Sequence, residues 1–457
     1  ASADPEDEYF SDGLTEELIS ALSGIEGMRV PGRTSSFAFK DSAQDVRRIG
    51  AVLGVAHVLE GSVRRSGEQL RIVARLVSTE DGYGVWSEAY DRQVEDALEI
   101  QADIASAIAG ALEIELLDPV ASGTSLSGRT EDPVAYDHYL RGLYFSHSPT
   151  EDGVRKSIAY YQRAIEADPD FALAYAGLAV AYHGLGNRYG VEPTEYLPKA
   201  KAAAERAVDL DDGLAESHLA LAVVKAWWDR DYAGAEREFR RAIKDRPNHA
   251  GTHHIYGVFL VSMHRPDEGI ASVRQALSLD PLSNFYSVDL GVMLRFTGRY
   301  KESIAQLQRT LEREPDNART WLHLGRVYMA TRRYEEALDA LRRAEQLPGH
   351  EGNKLVGLGY AYAVTGKRQE AEAILTRIDS LASTQDFRPT ERAVLELALG
   401  HRDRALERLE RAERERDLDF VPLQLNEGLD PLRSDPRFRR IVERMGLPQV
   451  IPPPAEQ

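Results

Sequence analysis

The chain has 457 residues, 43% hydrophobic and 28% charged, which suits a folded protein with room for two or three domains, or for one domain and a repeat array. Its formal charge is −18, and residues 1–130 carry much of it, with 11 basic against 23 acidic side chains. That field repels phosphate backbones and anionic lipid, no run of eighteen apolar residues offers a membrane span, and the lack of cysteine excludes disulfides, thiolate metal sites and cysteine nucleophiles while leaving the compartment open.

Residues 1–117 read as α+β. Ser11 or Asp12 caps a helix to about Leu22, a short strand follows near 28–30, and Asp45 caps a helix over 46–53. Three β segments come next, at 57–65, 69–79 and 83–90. Between them lie Ser66-Gly67 and Asp81-Gly82, dipeptides that accept the positive φ of tight hairpin turns. Leu70, Ile72, Ala74 and Leu76 alternate with Arg71, Val73, Arg75 and Val77, so one face of the sheet is the better buried. Ile100, Ile104, Ile108 and Leu112 form the stripe of a third helix. Residues 118–132, rich in Ser, Gly and Thr, read as a linker.

From residue 133 a period of 34 sets in. Gly257, Gly291, Gly325 and Gly359 recur at that step, as do Pro247, Pro281 and Pro315. Gly269, Ser303, Ala337 and Ala371 share the register twelve places on, followed by Ala276, Thr310 and Ala344. A small residue in the first helix lets the second approach, and the small residue twelve places on faces it. Trp321, Leu324 and Tyr328, then Leu355, Leu358 and Tyr362, fill the space between units, and proline stops the second helix. The unit is a helical hairpin. Units start at Ala250, Asn284 and Ala318, preceded by looser ones over 136–169, 172–212 and 215–247 and followed by others over 352–380 and 390–416. The expected array covers 133–417 with seven to eight hairpins and no strand. A capping segment at 418–447 and a mobile proline-rich tail at 448–457 complete the chain.

The hairpin pattern resembles the tetratricopeptide repeat (TPR) family, which implies an all-α superhelix whose first helices line a concave groove. The stretches YFSDGLTEELISAL at 9–22, RTSSFAFK at 33–40, VLEGSVRR at 58–65 and VWSEAYDR at 85–92 resemble the TolB-type amino-terminal domain. In bacteria that domain is often fused ahead of TPR arrays, downstream of an adenylate cyclase, a protein kinase or a winged-helix domain. The family has one further strand before the position of Ala1. The resemblance therefore implies a chain from the C-terminal part of a larger signalling protein, with an unpaired sheet edge along 28–30 through which copies could associate.

Catalytic signatures are lacking: no GxSxG elbow, HExxH pair or P-loop occurs, and Gly357 with Gly359 falls inside a repeat helix without a third glycine. His249, His253 and His254 have the spacing of metal ligands, but His253 occupies a bulky packing column and His249 precedes the helix. Trp227 and Trp228 read as packing against a neighbouring hairpin, the pairs Glu16-Glu17 and Glu335-Glu336 as solvated helix surface, and Arg64-Arg65 as a hairpin tip. The expected function is non-catalytic, cofactor-free and metal-free: a scaffold that holds a protein or peptide and does not bind nucleic acid or span a membrane. The alternative is the regulatory half of a cyclase, kinase or transcription factor. In the TPR family the ligand-facing places are the second, fifth, ninth and twelfth of each unit. Carried onto this sequence they are Gly251, His254, Val258 and Val261; Phe285, Val288, Val292 and Arg295; Arg319, Leu322, Arg326 and Met329; and Asn353, Val356, Tyr360 and Ala363, of which all but the small Gly251 and Ala363 are the expected partner-binding residues. This surface is mostly apolar with three arginines, unlike the Lys and Asn of TPR clamps for acidic tails. The competing reading of each residue is packing against neighbouring repeats.

Overall fold

The computed structural model describes residues 5–25, 27–42, 44–66, 69–93, 97–112, 128, 130–148, 150–189, 193–349, 351–381, 387–416, 423 and 425–447. The expected linker up to residue 127, the Ser66-Gly67 turn and the tail at 448–457 lie wholly or partly outside them. The chain divides into two compact units: Ala1–Leu185 with Tyr196–Thr252 and Ala276–Ser283, and Gly186–Glu195 with His253–Gln275 and Asn284–Gln457.

The first unit begins with α1 (Pro5–Ser23), α2 (Arg33–Phe37) and α3 (Val46–Leu53), followed by strands β1 (His57–Ser66), β2 (Gln69–Ser78) and β3 (Gly84–Gln93), then α4 (Ala97–Ala111). The strands form an antiparallel meander in the order β1-β2-β3, with Val63 opposite Ile72 and Ile72 opposite Tyr90. The alternation read from β2 holds as far as Leu76, with Leu70, Ile72, Ala74 and Leu76 buried and Arg71 and Arg75 exposed; Val77, expected on the less buried face, is buried as well, at the register shift between Leu76 and Val77. Ile100, Ile104 and Ile108 of α4 are buried as a stripe, and Asp45 caps α3 by accepting the Arg47 amide at 2.9 Å.

Three expectations fail here, each because a distant partner outcompetes a local signal. First, α1 starts at Pro5, so Ser11 and Asp12 lie inside it and do not cap it; Asp12 is buried and takes Lys40 Nζ at 2.7 Å. Second, Glu16 and Glu17 are not solvated surface, because α1 lies against α4 and α5 (Pro133–Ser146). Glu16 takes Arg33 at 2.5 Å and His147 at 2.8 Å, while the buried Glu17 accepts the Tyr139 hydroxyl at 3.0 Å and its carbonyl accepts Gln101 Nε2 at 3.0 Å. Third, no strand forms at 28–30, and the unpaired edge expected there does not arise. The Met28 carbonyl accepts Asn248 Nδ2 at 2.8 Å and the Gly32 amide donates to the Leu279 carbonyl at 2.7 Å, so this backbone is committed to turns of the helical array. At the same contact Asp280 accepts both the Ser35 amide at 2.7 Å and its hydroxyl at 2.5 Å, and the Ser35 oxygen accepts the Leu282 amide at 2.9 Å. Ser35 and Asp280 are both buried, so each of these bonds replaces water that cannot reach the group.

From α5 onward every described element is helical, in eight pairs among the described residues. They are α5 with α6 (Glu151–Ala167), α7 (Ala172–Tyr189) with α8 (Pro193–Leu210), and α9 (Ala215–Val224) with α10 (Tyr232–Asp245). Next come α11 (Ala250–Ser262) with α12 (Pro266–Leu279), α13 (Asn284–Phe296) with α14 (Tyr300–Arg313), and α15 (Ala318–Ala330) with α16 (Tyr334–Gln346). The last are α17 (Glu351–Val364) with α18 (Arg368–Leu381) and α19 (Pro389–Ala398) with α20 (Arg402–Arg414). A one-turn π-helix, Lys225–Asp229, extends α9. It carries Trp227, half-buried with its ring 5.7 Å from His183 of α7. A 3-10 turn, Glu427–Leu432, and α21 (Pro436–Arg444) end the described chain.

The glycine column of the second unit sits at helix crossings. A Cβ on Gly291 would meet the Leu307 side chain at 2.7 Å, and the Ser303 hydroxyl donates to the Gly291 carbonyl at 2.6 Å. Gly257 and Gly269 are closer still, each facing the other's carbonyl oxygen at 2.7 Å from where a Cβ would stand. The residues twelve places apart therefore do face each other across the hairpin. Val288, Leu322, Val327, Leu338 and Leu341 join the first and second helices of successive pairs into one core. No described helix is long and apolar enough to cross a membrane.

Candidate functional site

All fourteen of the residues expected along the groove fall in the second unit, on α11, α13, α15 and α17. Their exposures differ. His254, Val261, Val288, Arg295, Leu322, Met329 and Val356 are buried; Val258, Val292, Arg319, Arg326, Asn353 and Tyr360 are half-buried; Phe285 is 51% exposed. The aliphatic members pack between repeats: Val288, Leu322 and Met329 belong to one core, and Val356 to the next with Leu355 and Leu395. Leu322 reaches α17 because Gly357 leaves it room; a Cβ there would lie 2.8 Å from Leu322 Cδ1.

Each of the three arginines meets a carboxylate from a later or neighbouring helix. Arg326 of α15 forms a two-bond pair with Glu391 of α19, at 3.1 and 2.7 Å, and passes Gly357 with its Nε 3.9 Å from where that residue's Cβ would be. Burial lowers the pKa of Arg326, with Glu391 opposing the shift. Arg295 Nη1 donates to Glu427 at 2.7 Å, and its guanidinium lies 4.0 Å over the Phe296 ring. Arg319 donates to Asp289 of α13 and lies 5.0 Å over the Phe285 ring.

The residues that come together around Phe285 are His254, Tyr286, Asp289 and Arg319. His254 Nε2 is 2.7 Å from Asp289, and its ring is 5.0 Å from Phe285 and 4.9 Å from Tyr286. The histidine considered as a metal ligand is thus held by a carboxylate and two aromatic rings, and His249, its expected companion, sits 2.7 Å from the Thr252 hydroxyl. Burial alone would raise the pKa of Asp289, but Arg319 and His254 outweigh it and hold the carboxyl down at about 2. Because the folded value lies below the ordinary ~3.9, this group's stabilisation is complete above about pH 4 and is lost as pH falls toward 2. Asp289→Asn should accordingly flatten the acid limb of a stability profile between pH 4 and 2; a variant with the same slope as wild type would show that Asp289 is not the group titrating there.

Phe285 opens onto a cleft of about 340 Å³ bordered by Asn284, Val288, Asp316, Asn317 and Arg319. Sequence reasoning placed Phe285, Val288 and Arg319 on this surface but missed Asp289. One helical turn beyond Phe285, Asp289 shares its face, and that i+4 spacing was the available signal. Glu391 and Glu427 had none, since they reach their arginines from 65 and 132 residues away.

The tetratricopeptide repeat family model matches residues 288–351. A protein of Rhizobium meliloti (strain 1021) named "Putative adenylate cyclase 3" is 35% identical over 234 residues, which is 50% of this chain and 39% of that relative's length. Among solved structures, PilF of Pseudomonas aeruginosa is similar at 20% identity over 52% of this chain and 98% of that one, with a TM-score of 0.38. YrrB, a TPR protein with an unusual peptide-binding site, is similar at 20% identity over 43% and 95%, with a TM-score of 0.31. Residues 288–351 of the helical array are thus similar to tetratricopeptide repeats.

Proposed function

We propose that this chain is a non-catalytic scaffold whose repeats hold a peptide or helix, anchored at Phe285 and Arg319. The observation that carries the reading is the exposure of Phe285 on a surface where the other mapped positions are wholly or partly covered. A large aromatic ring half in solvent, backed by a guanidinium whose charge Asp289 neutralises, is the kind of group on which binding energy concentrates. The cleft beside it offers apolar wall from Val288 and hydrogen-bonding groups from Asn284 and Asn317. Peptides selected against the wild-type chain from a random display library should lose tenfold or more in affinity for Phe285→Ala, with the chain still folded at the assay temperature because half of the ring is already in solvent. Selection that yields no peptide, or peptides that bind Phe285→Ala equally well, would overturn the proposal.

A second reading has its own support. The similarity to a relative named for adenylate cyclase, over 39% of that relative, together with the resemblance of 9–92 to the TolB-type domain, favours a regulatory portion of a larger signalling protein. In that reading the N-terminal region, tied to the turns at Asn248 and Asp280, transmits occupancy of the repeats to an output domain. The gene upstream of Ala1 decides it: a start codon close by, with no cyclase, kinase or DNA-binding domain encoded, removes this reading and leaves the scaffold.

A further inference from the structure

Glu427 belongs to the 3-10 turn that follows the last hairpin, yet its carboxylate is received by elements from the middle of the array. Arg295 of α13 donates to it at 2.7 Å, and Tyr300 at the start of α14 and Tyr360 of α17 lie within reach of its charge. Arg295 and Tyr360 are two of the mapped ligand-facing positions, so this turn covers part of the surface on which the repeats would take a ligand. The fit is incomplete. Glu427 engages Arg295 through Nη1 alone, and Arg295 Nε, buried in a side chain only 5% exposed, has no hydrogen-bond partner among the described residues. A carboxylate approaching the guanidinium side-on would satisfy Nε and an Nη together, as Glu396 does for Arg408 at 3.0 and 2.6 Å. Glu427 is itself one-third exposed, so it gives up little solvent-shielded charge on leaving.

We propose that the surface under the Glu427–Leu432 turn is a second, latent subsite, and that its ligand is a peptide segment whose side-chain carboxylate exchanges with Glu427 on Arg295. The inference rests on the peptide-scaffold reading and adds to it a ligand class and a resident competitor. Leu429 and Leu432, both buried, keep the turn in place when no ligand is present. Asp430, whose charge is also felt at Tyr300 and Tyr360, disfavours a second acidic group entering while the turn stays seated. Ligand binding and withdrawal of Glu427 are therefore coupled.

The probe is a fluorescent eight-residue peptide with the sequence of 425–432, LNEGLDPL, added to the full chain. Glu427→Gln removes the competing charge and should bind the probe at least tenfold more tightly than wild type. Arg295→Met should bind neither this probe nor its Glu→Gln analogue. If Glu427→Gln melts below the assay temperature, Glu427→Asp, which withdraws the carboxylate by one methylene, serves the same comparison. Equal affinity of wild type and variant, or binding that survives Arg295→Met, would overturn the subsite. Library selection that succeeds at Phe285 while the probe fails removes the subsite alone; failure of both removes the scaffold reading with it.

Discussion

Gly257→Ala lowers stability by about 3 kcal/mol, whereas Gly291→Ala, one repeat later in the same column, changes it by about 1 kcal/mol or less. Both substitutions gain about 1 kcal/mol of helix propensity. The difference lies in what the new methyl meets. At Gly291 the nearest atoms are Cδ2 and Cγ of Leu307, the outer part of a side chain that can turn aside. At Gly257 one of them is the Gly269 carbonyl oxygen at 2.7 Å, and backbone held in a helix on the far side cannot turn. Two helices must separate by several tenths of an ångström, and Val273 and Val261 lose contact along with them. Chemical denaturation of the full chain followed by circular dichroism checks this through the midpoints. Equal shifts for the two variants would mean that the α11–α12 crossing is looser than described.

Glu396→Ala should cost about 3 kcal/mol or more, the range found when one partner of a buried ion pair is removed. Its carboxylate is fully buried and receives Arg408 at 2.6 Å, Arg404 at 3.0 Å and Arg392 at 3.7 Å. Removing it leaves three guanidiniums with Asp379 as the remaining carboxylate joined to Arg392 and Arg404. Arg392 suffers most: it is 8% exposed, and burial together with the Arg408 and Arg404 charges already lowers its pKa. Arg404, partly in solvent, can turn toward water and limit the loss, whereas Arg408 is mostly covered and its charge bears on the buried Arg392. The double variant Glu396→Ala with Arg408→Ala should then be more stable than Glu396→Ala alone, because one uncompensated charge has gone. Thermal denaturation compares the two, and a double variant that melts lower would show that Arg408 acts through packing and not through charge.

The parts of this fold that were legible from sequence are those whose cause repeats. A glycine every 34 residues, with a small residue twelve places on, is a direct imprint of helices crossing, and Gly257–Gly269 and Gly291–Ser303 meet as that pattern requires. The alternation along β2 was equally readable, since Leu70, Ile72, Ala74 and Leu76 carry their burial in their own chemistry. What stayed hidden depends on partners far away in the chain. Residues 28–30 have strand-like side chains, but Asn248, 220 residues on, takes the carbonyl of Met28. Ser11 and Asp12 look like caps, but Lys40 claims Asp12 and the helix starts earlier. The candidate site was legible as a list of positions and not as a chemistry. The resemblance to the repeat family marked Arg295, Arg319 and Arg326 as ligand-facing, but their carboxylates come from Glu427, Asp289 and Glu391.

Repeat arrays change length in evolution by gaining or losing whole hairpins, because each unit touches little beyond its neighbours. The bonds from Met28 to Asn248 and from Ser35 to Asp280 withdraw that freedom at one place. Asn248 and Asp280 occupy successive turns between repeats, and the two groups that hold them are seven residues apart, a stretch that spans at most about 25 Å when fully extended. Residues 28–35 therefore act as a ruler one repeat long. A hairpin inserted between those turns would carry one anchor out of reach, while a hairpin added elsewhere would leave both bonds intact. Descendants of a common ancestor should thus vary in repeat number on either side of this point and keep a single unit between the two turns.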